Sequence, residues 1–131
     1  MIQEFVRRFD ANRDELARTF ALKHVDSYEE IVKRVVVAIS GEDGPDPERV
    51  HVIDDGGYSG VLVFIISGSG YAPRDFWYVK VWYGSCPGCD LLQSIRGYTD
   101  DPPTPSQVAD YMTLALHVIQ CMKKMEDAVD A

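Results

Sequence analysis

The chain is 131 residues long, 46% hydrophobic and 26% charged, with a formal net charge of −8. That length supports one domain with its own core, and the ordinary residue usage excludes wholesale disorder. The acidic balance argues against phosphate-backbone binding, which needs clustered Lys and Arg to displace counterions, so no direct nucleic-acid partner is expected.

In chain order, Ile2, Phe5, Val6, Phe9, Leu16 and Phe20 recur at helical spacing and predict one helix or two short ones over 3–22. Ser27-Tyr28-Glu29-Glu30 is a capping-box pattern, in which the serine oxygen accepts a backbone N–H while Glu30 reaches back. The helix it opens carries Ile31, Val32, Val35, Val36 and Ile39, and Gly41 is placed to end it as a left-handed cap. Pro45 and Pro47 make 42–48 a loop. Three strands are expected, over 50–54, 61–67 and 76–83. The second is apolar on both alternating sets, so it should be central and covered on both faces. In the third, Phe76, Tyr78 and Trp82 point one way, and Trp77, Val79, Val81 and Tyr83 the other. Leu91, Leu92 and Ile95 predict a short helix ending at Gly97, and 98–105 is a proline-rich connector. Thr104-Pro105-Ser106-Gln107 opens the last helix, with an apolar stripe of Val108, Tyr111, Met112, Ala115, Ile119 and Met122. The expected fold is a single α+β domain over 1–131. It is a three-stranded antiparallel meander with two N-terminal helices and a long C-terminal helix packed on the sheet.

Charge and compartment narrow the setting. Residues 1–40 hold seven basic and seven acidic side chains, whereas 41–60 hold Glu42, Asp43, Asp46, Glu48, Asp54 and Asp55 against Arg49 alone. Such a segment is a solvated loop that aids solubility, or a surface for a basic partner. The longest apolar run, 61–66, is too short for a bilayer, so no membrane partner is expected. The first residues lack the basic and apolar regions of a secretion signal. Three cysteines, an odd number, argue against a disulfide framework and for a cytoplasmic protein with reduced thiols.

Cys86-Pro87-Gly88-Cys89 is the stretch best suited to chemistry. With His117 and Cys121, four apart on one helix face and separated from Cys89 by 27 intervening residues, it supplies three thiolates and one imidazole. That set can close a tetrahedral zinc site. The same motif, between a strand and a short helix, resembles the local motif of thioredoxin-like proteins. There Cys86 would be the attacking thiolate and Cys89 the resolving thiol. The third alternative is structural: Gly84, Ser85, Pro87 and Gly88 form a tight turn in which small reduced cysteines fit. For a binding surface the candidates are Glu42, Asp43, Asp46 and Glu48, together with the aromatics Tyr71, Trp77 and Trp82. The histidines are scattered, Asp54-Asp55 reads as turn chemistry, and Gly68-Ser69-Gly70 lacks the lysine and helix of a phosphate loop.

Three stretches, 46–56 (Asp-Pro-Glu-Arg-Val-His-Val-Ile-Asp-Asp-Gly), 83–90 (Tyr-Gly-Ser-Cys-Pro-Gly-Cys-Asp) and 110–119 (Asp-Tyr-Met-Thr-Leu-Ala-Leu-His-Val-Ile), together resemble a family of small uncharacterised proteins of tailed bacteriophages and prophages. The likeness spans about 28–122. It implies a setting and no established activity: a small phage accessory protein in the host cytoplasm, a class that commonly antagonises a host defence or polymerase system. The leading expectation is therefore a non-enzymatic binding protein acting on a host protein or small ligand. The alternatives are a thiol-disulfide oxidoreductase using Cys86 and Cys89, and a small zinc-stabilised binding module.

Overall fold

The computed structural model describes residues 2–41, 44–54, 60–69, 75–83, 91–97 and 101–125. It is α+β, with helices on one side of an antiparallel sheet. Helices α1 (Ile2–Ala11) and α2 (Arg13–Leu22) are separate. The break falls at Asn12, whose side-chain amide donates to Arg8 O and to Ala38 O, at 3.0 and 2.9 Å. An amide that competes for backbone carbonyls favours helix ends over helix interiors. With α3 (Tyr28–Ile39), three helices therefore precede the sheet, where two were expected.

Ser27 caps α3 as its sequence requires, accepting from the Glu30 backbone N–H at 3.2 Å. Glu30 reaches back one residue further than a capping box, accepting from Asp26 N–H at 2.9 Å, and also holds Arg34 at 2.8 Å. The far end of α3 corrects the glycine-cap expectation. Helix α3 stops at Ile39, Ser40 is extended, and Gly97 is the only described glycine with positive φ. The open carbonyls are met from α1 and the break after it instead: Arg8 donates to Ile39 O at 3.0 Å, and Asn12 to Ala38 O. A cation at a helix C-terminus also opposes the negative end of its dipole. Gly41 serves this contact by being small, since a Cβ there would lie 2.7 Å from Arg8 Nη1.

The sheet has four strands in the order β1-β2-β3-β4, one more than the expected meander. They are β1 (Pro45–Asp54), β2 (Gly60–Gly68), β3 (Phe76–Tyr83) and β4 (Lys123–Lys124), all antiparallel. Strand β1 begins at Pro45, inside what the prolines mark as a loop. Two facts reconcile this. An edge strand tolerates residues without an N–H, and the register slips between Pro45↔Gly68 and Val50↔Ile66, where Pro47 sits. Strand β4 extends the C-terminal segment past the last helix and pairs Trp77↔Lys124 and Tyr78↔Lys123.

Helix α4 (Leu91–Arg96) ends at Gly97, whose φ of 67° is a left-handed conformation that glycine adopts without strain. Its N-terminal turn is tethered by Leu92 N–H donating to the Tyr28 hydroxyl at 3.0 Å. Helix α5 (Pro105–Cys121) opens with the full reciprocal capping box of Thr104 and Gln107. It packs against α1, α2, α3 and α4 and meets the sheet at β3, so it lies mostly among helices rather than on the sheet. Its buried residues are Tyr111, Met112, Leu114, Ala115, Val118 and Ile119. Phe20 stacks on Tyr111 with centroids 5.4 Å apart, and the Arg34 guanidinium lies over the Phe20 ring, 5.3 Å from its centroid. No helix among the described residues is long and apolar enough to cross a membrane.

Candidate functional site

Strand alternation divides the sheet's side chains between two faces. On the helix side, Phe64, Ile66, Trp77, Val79 and Val81 are buried, and Trp77 meets Phe5 of α1 with ring centroids 6.3 Å apart. The other face has no described element across it. The register sets out its cross-strand rows: His51–Ile65–Tyr78–Lys123, then Ile53–Val63–Lys80, then Val61–Trp82. Trp82 is 74% exposed and Ile53 52%, with Phe76 and Met125 also exposed at one end. Val61, Val63 and Ile65 are half-buried. Strand β2 is thus central, but helices cover it on one face only, where its doubly apolar sequence led to the expectation of two.

This face is apolar at its middle and basic in its charge. Its paired rows carry Lys80, Lys123 and His51 and no carboxylate, although the whole chain is strongly acidic. Of the aromatics proposed from sequence for a binding surface, Trp82 lies here. Trp77 does not: at 3% exposure it is a core residue, because its position in β3 has the opposite parity. Tyr71 lies outside the described residues.

The acidic segment divides similarly. Glu42 and Asp43 lie outside the described residues. Asp46 is engaged locally, accepting from Glu48 N–H at 2.9 Å and pairing with Arg49 at 3.5 Å, so it shapes the entry to β1. Glu48 is exposed. Asp54, at the far end of β1, accepts from the Tyr83 hydroxyl at 2.6 Å.

Cys86 and Cys89 lie outside the described residues, so their relation to the second ligand pair is not part of the described structure. His117 and Cys121 do face each other on the exposed side of α5, with Nε2 and Sγ 3.6 Å apart. They are the second pair of the four ligands that the sequence offers for a zinc site. Among the described residues no cluster of three or more His, Cys, Asp or Glu side chains could hold a metal.

Two features were not singled out from sequence. A groove of about 380 Å³ runs between α2 and α3, with Leu16, Leu22, Val37 and Ala38 in its wall. Leu22 and Val37 read as ordinary helix positions, yet both are exposed, at 79% and 62%. The second is His24, buried and 2.7 Å from the Tyr111 hydroxyl. No pattern links residues so far apart in the chain, so sequence carries no signal for this pair.

Comparison with known proteins returns no matching family model, no matching curated protein and no matching solved structure.

Proposed function

We propose that this protein is a non-enzymatic binding protein that docks a protein partner on the open face of its sheet. The observation that carries this reading is the exposed Trp82 and Ile53 on neighbouring rows of this face, beside Lys80, with Phe76 exposed at its other end near Lys123. Uncovered faces of this kind mark association surfaces, and exposed tryptophans are frequent energetic anchors in them. The basic rows fit a partner whose contact surface is apolar at its centre and carries carboxylates opposite Lys80 and Lys123. Net charge argues against a nucleic acid, and so does the branched aliphatic centre of Ile53, Val63 and Ile65, which offers few stacking planes. A second copy in a two-fold arrangement would set lysines on both sides of the contact without carboxylates to meet them. The phage setting implied by the resemblance makes a host protein the partner.

The test is capture from nuclease-treated bacterial lysate, with Trp82→Ser, Lys80→Glu/Lys123→Glu and Asp46→Lys/Glu48→Lys variants alongside the wild type. A partner retained by wild type and by the acidic-segment reversal, but lost from both sheet-face variants, supports the reading. The same captured set from all four proteins overturns it.

The groove between α2 and α3 favours a second reading, a small apolar ligand. Its volume lies within the usual range for ligand sites, about 300–1,000 Å³. Val37→Asp, at an exposed position, should abolish uptake of a hydrophobic fluorescent probe without lowering the melting temperature. Uptake unchanged by that substitution counts against the groove.

A further inference from the structure

His117 and Cys121 stand one turn apart at the C-terminal end of α5, and both side chains are exposed. Val118 and Ile119 between them are buried, so the core fixes from behind the backbone that carries the pair. His117 Nε2 and Cys121 Sγ are 3.6 Å apart, within reach of a weak thiol–imidazole hydrogen bond.

The same separation suits a metal. Zinc holds a thiolate sulfur at about 2.3 Å and an imidazole nitrogen at about 2.0–2.1 Å, with the tetrahedral angle of about 109° between them. Two such bonds put sulfur and nitrogen about 3.5–3.6 Å apart, which is the spacing the pair already has. A right angle between the same bonds, as in square-planar ligation, would bring them to about 3.1 Å. The helix end adds a second, independent factor. No basic residue lies in the last turn of α5, so a cation there opposes the otherwise uncompensated negative end of the dipole. Of the two lysines that follow, Lys124 pairs with Asp75 at 3.1 Å, and Lys123 belongs to a row of the open sheet face.

We propose that His117 and Cys121 form a two-ligand zinc site on the exposed side of α5, with water in the metal's remaining positions. On binding, the Cys121 thiol gives its proton to solvent as the sulfur–zinc bond forms. His117 supplies the Nε2 lone pair and keeps its hydrogen on Nδ1. No electron moves. A thiolate with an imidazole selects a borderline cation such as zinc over magnesium or calcium, which take oxygen ligands. The site uses no part of the sheet face, so zinc binding and partner docking can fail independently.

The experiment is a zinc titration of the reduced full chain at pH 7 against a competing zinc-binding dye. It is run on wild type and on a Cys86→Ser/Cys89→Ser background, in which Cys121 is the only thiol. One zinc per chain is expected in each, with magnesium failing to displace it. In that background Cys121→Ser and His117→Ala should each weaken binding at least about tenfold, since removing even the groups behind metal ligands costs that much. Both positions are exposed, so each variant should keep its parent's melting temperature without zinc. Zinc should raise that temperature only where the pair is intact. His117→Ala/Gln120→His sets the imidazole about 100° around the helix from Cys121 and should not restore binding. Binding lost from the Cys86→Ser/Cys89→Ser protein overturns the proposal. So does an affinity unchanged by Cys121→Ser or by His117→Ala, or one that Gln120→His restores.

Discussion

The Tyr111 hydroxyl lies 2.7 Å from His24 Nδ1 and ties the middle of α5 to the link between α2 and α3. Both side chains are buried, and the rings meet edge to face with centroids 5.8 Å apart. Burial pushes the Tyr111 hydroxyl above its ordinary value of 10.0, because the phenolate would be cut off from water.

Tyr111→Phe should cost about 1–3 kcal/mol at neutral pH, since it leaves the buried His24 Nδ1 without its partner. The pH dependence has a definite sign. A raised folded-state value means the unfolded chain loses its proton first. Tyr111's contribution is therefore complete below pH 10, declines as pH rises above 10.0, and is lost through the folded value. Denaturant unfolding of both proteins between pH 8 and 11 measures this, with the other titrating groups cancelling in the difference. A gap between wild type and variant that stays constant across the range would show that Tyr111 does not ionise differentially.

The two tryptophans of β3 should separate stability from binding. Trp77→Ala removes a core side chain packed against Phe5 and should cost about 3–5 kcal/mol. Trp82→Ser, on the open face, should stay within about 0.5 kcal/mol of wild type. Chemical denaturation of the two variants checks both values, and comparable losses would mean the sheet face is not as open as its exposure indicates.

Gly41 and Arg8 should be coupled. Gly41→Ala sets a methyl group against the guanidinium and should cost about 1 kcal/mol by lifting Arg8 from Ile39 O. In an Arg8→Ala background the same change should be neutral or stabilise by about 0.4–1 kcal/mol, because alanine restricts the unfolded chain and the Gly41 φ is not positive. A double-mutant cycle reads the difference directly. Additive effects would show that Gly41 does not exist to admit Arg8.

Tyr28→Phe should release the first turn of α4, whose Leu92 N–H loses its acceptor. The expected loss is about 1 kcal/mol, with faster hydrogen exchange at Leu92 than at amides of α5. Uniform acceleration across both helices would point to global destabilisation instead.

Local chemistry written in neighbouring residues was legible without coordinates. Ser27 and Thr104 both cap their helices because a hydroxyl three residues before an N–H needs only helical geometry to find it. Gly97 ends α4 for an equally local reason, a φ that side chains disfavour. Alternation in 76–83 likewise separated Trp77 from Trp82 before any packing was known, although it could not say which set lay inside. That choice depends on where the helices sit, and only the tertiary structure decides it. The same holds for the open face of β2, for the fourth strand, whose two residues gain a partner only because α5 delivers them beside β3, and for the end of α3. There the carbonyls of Ala38 and Ile39 are met by Asn12 and Arg8, and glycine at 41 reports a neighbour from another helix rather than a turn of its own. His24 and Tyr111 make the same point at the greatest separation in sequence. Periodicity fixes what a residue does within its own element, whereas the partner of a buried polar group is set by how the elements meet.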